Sequence, residues 1–122
     1  YGMSLIGKND DGRGIKWRLY DEEMTSTSYK ICRGIDGTGD IYNWENVLYL
    51  IHNEMNYNTP IHAVVCDGGM QGQRDQEDQE LVSQKLVISQ VAAAVSILLN
   101  NKNDSNNNSG GGIIVLKYFG SQ

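Results

Sequence analysis

Two short apolar runs with a long one between them dominate the hydrophobic pattern of the chain. His62–Cys66 and Ile113–Phe119 are largely apolar and rich in β-branched residues, which predicts strands that are covered on both faces. Leu81–Leu99 lies between them and is apolar on nearly every side in its second half, which predicts a well-buried helix. A strand, a helix and a strand in this order predict a βαβ unit, in which the two strands are parallel.

A shorter apolar stripe predicts a second helix upstream. Asn43 can accept a hydrogen bond from a backbone N–H at the start of that helix, and Pro60 prevents its continuation beyond about Asn58. We expect the stripe to face the core, with Trp44 packed there rather than serving as a stacking surface. The stripe consists of Trp44, Val47, Leu48, Ile51 and Met55.

The N-terminal half adds one more strand and a glycine-rich loop. Tyr1–Gly7 is a short apolar run that ends on glycine, which predicts a strand, whereas Ile15–Arg33 has no clear periodicity. Gly34–Ile41 contains three glycines, so it either lets the backbone approach a ligand closely or forms an ordinary tight connection. The glycines alone favour the tight connection. Lys102–Ser109 is polar and rich in asparagine, which indicates a disordered surface insertion.

Composition narrows the class of protein without identifying it. The 39% of hydrophobic and 20% of charged residues are typical of a folded globular domain. A net charge of −5 argues mildly against a dedicated nucleic-acid binder, although it leaves room for a local basic patch. Cys32 and Cys66 have no metal-ligand spacing, which predicts reduced thiols and no metal site. The longest uninterrupted apolar run, Val91–Val95, is too short to span a bilayer, so no membrane partner is predicted.

The candidate chemistry lies at the ends of the two confident strands. Asp67 follows the first strand and Lys117 comes late in the second, and ligands of open α/β sheets bind beyond the carboxyl ends of the strands. These two residues alone favour a plain ion pair or a lysine that reaches solvent. The alternative is acid–base chemistry on a hydroxyl group. In that case a lysine in a dry pocket or among cations, whose pKa is lowered, acts as the base.

Three stretches with sensible gaps between them carry a resemblance to a known family. They are GMSL near the start, GIDGTGDI in the middle, and CDGG followed by the LVSQKL helix start and the LKYF strand. The ordered set resembles the FtsJ-like RNA 2′-O-ribose methyltransferases, and most closely the cap-specific mRNA (nucleoside-2′-O)-methyltransferases. It covers nearly all 122 residues. The resemblance implies that residues 1–122 are part of a single α/β domain with the Rossmann-like fold of S-adenosylmethionine-dependent methyltransferases, interrupted by an insertion at about residues 100–110.

The resemblance also implies roles for individual residues. Asp67 and Lys117 match the aspartate and the second lysine of a Lys-Asp-Lys-Glu tetrad, which acts on the ribose 2′-hydroxyl while S-adenosylmethionine supplies the methyl group. Asp67 is also placed beside the cosubstrate. Asp40 matches the acidic residue that hydrogen-bonds the adenine of S-adenosylmethionine, and Ile41 lies beside the ring. Candidates for contact with the RNA cap, after CDGG, are Arg74, Gln76 and Glu77.

Other parts of the family pattern have no counterpart between Tyr1 and Gln122. The first lysine of the tetrad, the glycine-rich cosubstrate loop and the strand before it are expected upstream, and the final glutamate downstream. We therefore expect the chain to be a fragment that lacks the first strand and the C-terminal strands of the fold. On its own it should neither bind S-adenosylmethionine well nor catalyse, and its partners should be RNA and the remainder of its own domain.

The function implied is methylation of the ribose 2′-hydroxyl at the first transcribed nucleotide of capped mRNA. One alternative is a ribosomal or transfer RNA 2′-O-methyltransferase. Another is a catalytically dead methyltransferase-like module that binds a partner, although the presence of both Asp67 and Lys117 argues against it. The default location for a cellular cap enzyme is the nucleus, with a cytoplasmic or viral enzyme as the alternative.

Overall fold

The computed structural model of the chain describes residues 1–5, 30–56, 60–69, 76–100 and 112–118. They divide into two compact units, Tyr1–Asn56 and Tyr57–Gln122, and each unit is described by itself. Both units contain parallel strands and helical segments, so the chain is of the mixed α/β type. The predicted insertion Lys102–Ser109 and most of the Ile15–Arg33 segment lie outside the described residues.

The first unit contains a short parallel strand pair. Strand β1 is Gly2–Met3 and strand β2 is Ile31–Cys32, with Gly2 opposite Ile31 and Met3 opposite Cys32. The N–H of Gly2 donates to the carbonyl of Lys30 at 2.9 Å, which extends the ladder by one bond. The predicted strand at the N-terminus is confirmed over these two residues. Strand β2 falls at the end of the segment whose pattern allowed no prediction.

Helix α1, Trp44–Tyr49, begins at the predicted cap. The Asn43 side chain accepts from the N–H of Glu45 at 3.2 Å, and the acidic Glu45 suits the positive end of the helix dipole. A π-helical turn, Leu50–Glu54, continues α1, and the N–H of Met55 then donates to the carbonyl of Leu50. Met55 is extended, so the helical segment ends at Glu54, four residues before the predicted end at Asn58. The π-helical turn therefore ends the helical segment before the chain reaches Pro60.

The buried face of this helical segment only partly matches the predicted apolar stripe. Val47 and Ile51 are buried as expected, but Trp44 is 42% exposed and Leu48 40% exposed, so the prediction that Trp44 packs in the core is wrong. The buried side includes Asn46 instead, because the amide of Asn46 is hydrogen-bonded to the preceding loop. The buried face of the segment is therefore offset from the predicted stripe and contains Leu50 beside Asn46, Val47 and Ile51.

The second unit is a βαβ unit, as predicted. Strand β3 is Ala63–Cys66, helix α2 is Gln76–Leu99 and strand β4 is Ile113–Leu116. The two strands are parallel, and Ala63 pairs with Ile113 and Cys66 with Leu116. Helix α2 packs against both strands.

The core of the second unit lies between α2 and one face of the sheet. Cys66, Ala93 and Ala94 are buried there. On the other face, Val65 is 70% exposed and Ile113 is 64% exposed. The prediction that these strands are covered on both faces is therefore wrong for the described residues, because α2 covers one face and leaves the other open.

One helix in the described part of the chain is long and apolar enough to cross a membrane, judged by length and composition alone. It is α2, over Glu80–Leu99. Ser89 and Gln90 interrupt the apolar sequence of this helix, so it contains no long uninterrupted apolar run of the kind on which the sequence prediction was based. The packing of α2 against β3 and β4 is that of the crossover helix in a βαβ unit.

Candidate functional site

Asp67 and Lys117 meet at the carboxyl ends of β3 and β4. The register pairs the last residues of the strands, Cys66 and Leu116, so the next residue of each strand stands beside the other. The N–H of Lys117 donates to the carbonyl of Cys66 at 2.9 Å. The ammonium Nζ of Lys117 lies 2.9 Å from Oδ1 of Asp67. The βαβ topology therefore brings the two candidate residues together across 50 positions of sequence.

This ion pair faces solvent. The side chain of Lys117 is 54% exposed and that of Asp67 is 65% exposed, so the lysine is not buried as a dry pocket would require. An exposed pair contributes only about 0–1 kcal/mol to stability, because water screens both charges. The pair is accordingly a weak stabiliser. In this geometry Asp67 orients the amine of Lys117, and the amine is accessible to a hydroxyl group brought to this edge.

A buried glutamine of α2 holds the turn that follows Asp67. The Oε1 atom of Gln90 accepts from the N–H of Gly68 at 2.8 Å, and its Nε2 donates to the carbonyl of Leu86 at 3.4 Å. Gln90 is only 7% exposed. Sequence reasoning missed this residue, although a lone glutamine in the most apolar part of a helix was a signal that could have singled it out.

Both cysteines are free and buried thiols, as predicted. Burial raises the pKa of the Cys66 thiol, whose Sγ donates to the carbonyl of Gln90 at 3.7 Å. Burial and the nearby charge of Glu54 raise the pKa of Cys32. A thiol with a raised pKa stays protonated at neutral pH, so neither cysteine is poised as a nucleophile.

The glycine-rich loop Gly34–Ile41 in the first unit is held in one shape by hydrogen bonds from the helical segment. The side chain of Asn46, fully buried, accepts from the N–H of Asp36 at 3.2 Å and donates to the carbonyl of Asp40 at 3.0 Å. The carboxylate of Glu54 accepts from the N–H of Gly34 at 3.2 Å. The loop is thus anchored at its start, middle and end.

Gly39 is a position at which this loop requires glycine. Its φ is +68°, and a Cβ there would fall on the carbonyl oxygen of Ser4. Glycine alone combines this left-handed conformation with so close an approach of two backbones. The loop is therefore a tight connection, as the glycines alone favoured, and it packs directly on the segment after β1.

Asp36 stabilises the loop from inside. Its carboxylate accepts from the N–H of Thr38 at 2.9 Å and from the Thr38 hydroxyl at 2.7 Å, and Asn43 donates to its other oxygen at 3.0 Å. These hydrogen bonds, those from Thr38 first, hold the pKa of the Asp36 carboxyl well below its usual range. Sequence reasoning passed over Asp36, which reads as one of several polar residues in a loop.

Asp40 and Ile41, the predicted cosubstrate residues, end this loop. Asp40 accepts from the N–H of Tyr42 at 2.8 Å, and both Asp40 and Ile41 are half-buried. Burial raises the pKa of the Tyr42 hydroxyl, and the charge of Asp40 adds to this effect. Asp40 and Ile41 belong to the first unit, whereas Asp67 and Lys117 belong to the second.

The predicted cap-contacting residues are described only in part. Arg74 lies outside the described residues, and Gln76 and Glu77 form the first turn of α2. Among the described side chains, no group of three or more His, Cys, Asp or Glu residues is arranged to hold a metal ion.

Comparison with known proteins identifies the class to which the chain is related. A parallel βαβ unit with an acid and an amine at its carboxyl edge is here accompanied by clear sequence similarity to methyltransferases. The relatives are two proteins named cap-specific mRNA (nucleoside-2′-O-)-methyltransferase 1. The chain is 31% identical to that of Leishmania braziliensis over 96 residues, which make up 78% of this chain and 22% of the relative.

The second relative gives the same result. The chain is 33% identical to the protein of the same name from Trypanosoma brucei brucei (strain 927/4 GUTat10.1) over 84 residues, which are 68% of this chain and 21% of that relative. The chain therefore spans about a fifth of the length of the curated relatives it matches. No family model and no solved structure matches it. The predicted resemblance to cap-specific mRNA methyltransferases is confirmed, and the assignment to the FtsJ-like group stays a prediction.

Proposed function

We propose that the chain is part of an S-adenosylmethionine-dependent methyltransferase that modifies the ribose 2′-hydroxyl of capped mRNA at its first transcribed nucleotide. The observation that carries the proposal is the contact of 2.9 Å between Lys117 and Asp67 at the carboxyl edge of two parallel strands. It occurs in a chain related to proteins named for this reaction. The fold of the whole domain would be Rossmann-like, with this chain supplying one part of it.

Lys117 and Asp67 would have different roles towards the ribose hydroxyl group. When bound, S-adenosylmethionine supplies an electrophilic methyl group on a sulfonium. Lys117 would accept the proton of the ribose 2′-hydroxyl, which would free that oxygen to take the methyl group that the cosubstrate would supply. Asp67 orients the amine from 2.9 Å. The exposure of both side chains allows a ribose to approach them.

The first unit supplies groups that fit the adenosine end of S-adenosylmethionine. The carbonyl of Asp40 is bonded to Asn46 and its N–H donates to the Thr38 hydroxyl, so its backbone is fixed before any ligand arrives. A half-buried carboxylate on a fixed backbone suits the exocyclic amine of an adenine, and Ile41 suits the ring. Asp40 and Ile41 are the cosubstrate residues that we propose in this unit.

The remaining parts of the site would come from the remainder of the same domain. A positive surface for RNA is also expected there, because the present chain carries a net charge of −5. Contacts of Arg74, Gln76 and Glu77 with the cap belong to the proposal as well. The nucleus is the proposed location.

The test is a methyl-transfer assay on the full-length parent protein with capped and uncapped RNA. Lys117→Arg is the decisive variant. It keeps a cation beside Asp67 but cannot be deprotonated in a protein. Transfer to the first-nucleotide 2′-hydroxyl of capped RNA that is lost by at least about 100-fold in Lys117→Arg supports the proposal, because general base catalysis is worth about 100-fold or more.

Other outcomes would change the proposal in different ways. A Lys117→Arg variant as active as the wild type would remove the lysine from the role of base. Transfer to uncapped structured RNA would instead indicate a ribosomal or transfer RNA enzyme. No transfer, together with no binding of S-adenosylmethionine by calorimetry, would leave a methyltransferase-like binding module.

A further inference from the structure

Gln90 is a polar side chain buried in the apolar half of α2. A buried amide is costly unless both its oxygen and its nitrogen are hydrogen-bonded. The nitrogen of Gln90 is bonded within the helix, to the carbonyl of Leu86. Its oxygen reaches out of the helix to the N–H of Gly68, at the shorter distance of 2.8 Å. The helix thus contacts the backbone of the residue that follows Asp67.

The backbone around Asp67 is held on both sides by this arrangement. Before Asp67, the carbonyl of Cys66 accepts from the N–H of Lys117 at 2.9 Å. After it, the N–H of Gly68 is bonded to Gln90. Because the two flanking peptide groups are anchored, the Cα of Asp67 has a defined position, and so has the carboxylate that contacts Lys117.

Gly68 shows how closely Gln90 approaches this turn. A Cβ at position 68 would lie 2.7 Å from Oε1 of Gln90 and 2.9 Å from its Cδ. Side-chain atoms do not approach this closely without a shift of one partner. The Gln90 amide therefore lies directly against this turn, and a side chain at position 68 would displace the amide from its hydrogen bond to the Gly68 N–H.

We propose that Gln90 is a positioning residue for methyl transfer, which acts by holding the Gly68 peptide so that Asp67 stays oriented towards Lys117. This inference rests on the proposed function, in which Asp67 and Lys117 act on the ribose hydroxyl. Misplacement of a catalytic group by about 1 Å can lower a rate by about 100-fold. The role of Gln90 is thus expected to appear in kcat rather than in the binding of RNA.

The main experiment compares Gln90→Met with Gln84→Met in the full-length parent protein. Methionine has a similar length but does not offer the strong acceptor of an amide, so Gln90→Met removes the contact to Gly68 and largely fills its space. Gln84 lies on the exposed side of the same helix, where its amide contacts the side chain of Glu80. Hydrogen–deuterium exchange at the Gly68 amide and steady-state methyl transfer are measured in both variants.

The expected result is specific to Gln90. The Gly68 amide should exchange faster in Gln90→Met, and kcat should fall by at least about 10-fold with the KM for RNA within about 2-fold, as for loss of an interaction made in the transition state. Gln84→Met should match the wild type in both measurements. Unchanged exchange in Gln90→Met, or faster exchange with unchanged kcat, would overturn the positioning role.

A second variant approaches the same contact from the other side. Gly68→Ala leaves α2 intact, but its methyl group would displace the Gln90 amide. Gly68→Ala should lower kcat in the same way as Gln90→Met. This test does not depend on whether Gln90→Met folds well. A Gly68→Ala protein with normal kcat would count against the proposal. Failure of these variants to affect kcat leaves the proposed function intact. A wild-type parent without methyl transfer would remove the proposed function and the positioning role together.

Discussion

In each unit, one buried polar side chain holds a loop by hydrogen bonds. Asn46 in α1 and Gln90 in α2 are the buried polar residues among those described, and each bonds to a loop peptide that lies next to a predicted site residue. A buried amide needs partners for both its donor and its acceptor, so it selects one loop conformation out of many. Substitution of Asn46 or Gln90 should therefore affect the neighbouring loop more than the helix.

Asn46→Asp tests this role in the first unit. A carboxylate cannot donate to the carbonyl of Asp40, and it brings a negative charge into a buried position, so the free energy of unfolding should fall by about 1–3 kcal/mol. Binding of S-adenosylmethionine, measured by calorimetry on the full-length parent, should weaken as well. Asn53→Asp makes the same change at an exposed position of the π-helical turn and is the matched control. Equal losses in the two variants would contradict the prediction.

The lowered pKa of Asp36 predicts the effect of acid. A carboxyl group with a lower pKa in the folded than in the unfolded state stabilises the fold above the unfolded value, about 3.9, and this contribution is lost as the pH falls below it. Below about pH 4 the first unit should therefore lose stability, because Asp36 binds a proton in the unfolded chain while it stays ionised in the folded one. Denaturant unfolding against pH should show a weaker acid dependence in Asp36→Asn. An identical pH profile in the two proteins would contradict this expectation.

At the scale of elements, the Gly34–Ile41 loop is a rigid connector between a strand pair and a helix. Its middle is bonded to α1, its start to the carboxylate of Glu54, and Gly39 packs against the backbone of Ser4 after β1. Because the loop contacts both elements, the positions of β1 and α1 define the positions of its last residues, Asp40 and Ile41. The loop geometry, rather than its glycine content, is what suits a ligand.

A pair of glycine substitutions separates backbone strain from this packing. Gly37 and Gly39 have φ values of +75° and +68°, so alanine at either position costs about 1–2 kcal/mol for the left-handed conformation. An alanine Cβ at 37 would meet open space, whereas one at 39 would meet the Ser4 carbonyl. Gly39→Ala should therefore destabilise clearly more than Gly37→Ala in thermal unfolding. Similar melting temperatures for the two variants would show that the Ser4 contact is unimportant.

At the scale of the whole molecule, the second unit has an apolar sheet face that its described residues leave open. Val65, Ile113 and Val115 are each more than half exposed on this face. Parallel sheets are normally covered on both faces, and a two-stranded sheet is marginal on its own. The chain also spans about a fifth of its curated relatives. Both facts agree with the proposal that the chain works together with the remainder of a domain.

The isolated polypeptide of 122 residues should therefore be inactive. We expect neither measurable binding of S-adenosylmethionine by calorimetry nor methyl transfer to capped RNA, because the apolar sheet face beside Asp67 and Lys117 is left open by the described residues. The full-length parent, measured in parallel, should do both. Robust methyl transfer by the isolated polypeptide would contradict the proposal that the remainder of the domain is required.

The sequence by itself determined the features that follow from local patterns. The apolar periods predicted β3, α2 and β4 in order, and the rule that such strands are parallel was enough to bring Asp67 and Lys117 to one edge. Asn43 was predictable as the helix cap because its hydrogen bond spans only two residues. The Asn43 contact depends on neighbours in sequence, and the contact of Asp67 with Lys117 depends on the parallel arrangement that a βαβ unit favours.

Only the tertiary structure decided which polar residues are buried and which apolar ones are not. Asn46, Gln90 and Glu54 each form a hydrogen bond to a loop peptide, and Gln90 lies 22 residues from its partner Gly68. Trp44 is exposed because it lies outside the buried face of the helical segment, which includes the hydrogen-bonded Asn46. A hydrophobic pattern reflects only the average affinity of each residue type for water. The burial of these polar residues depends instead on individual hydrogen bonds that form only when distant segments meet.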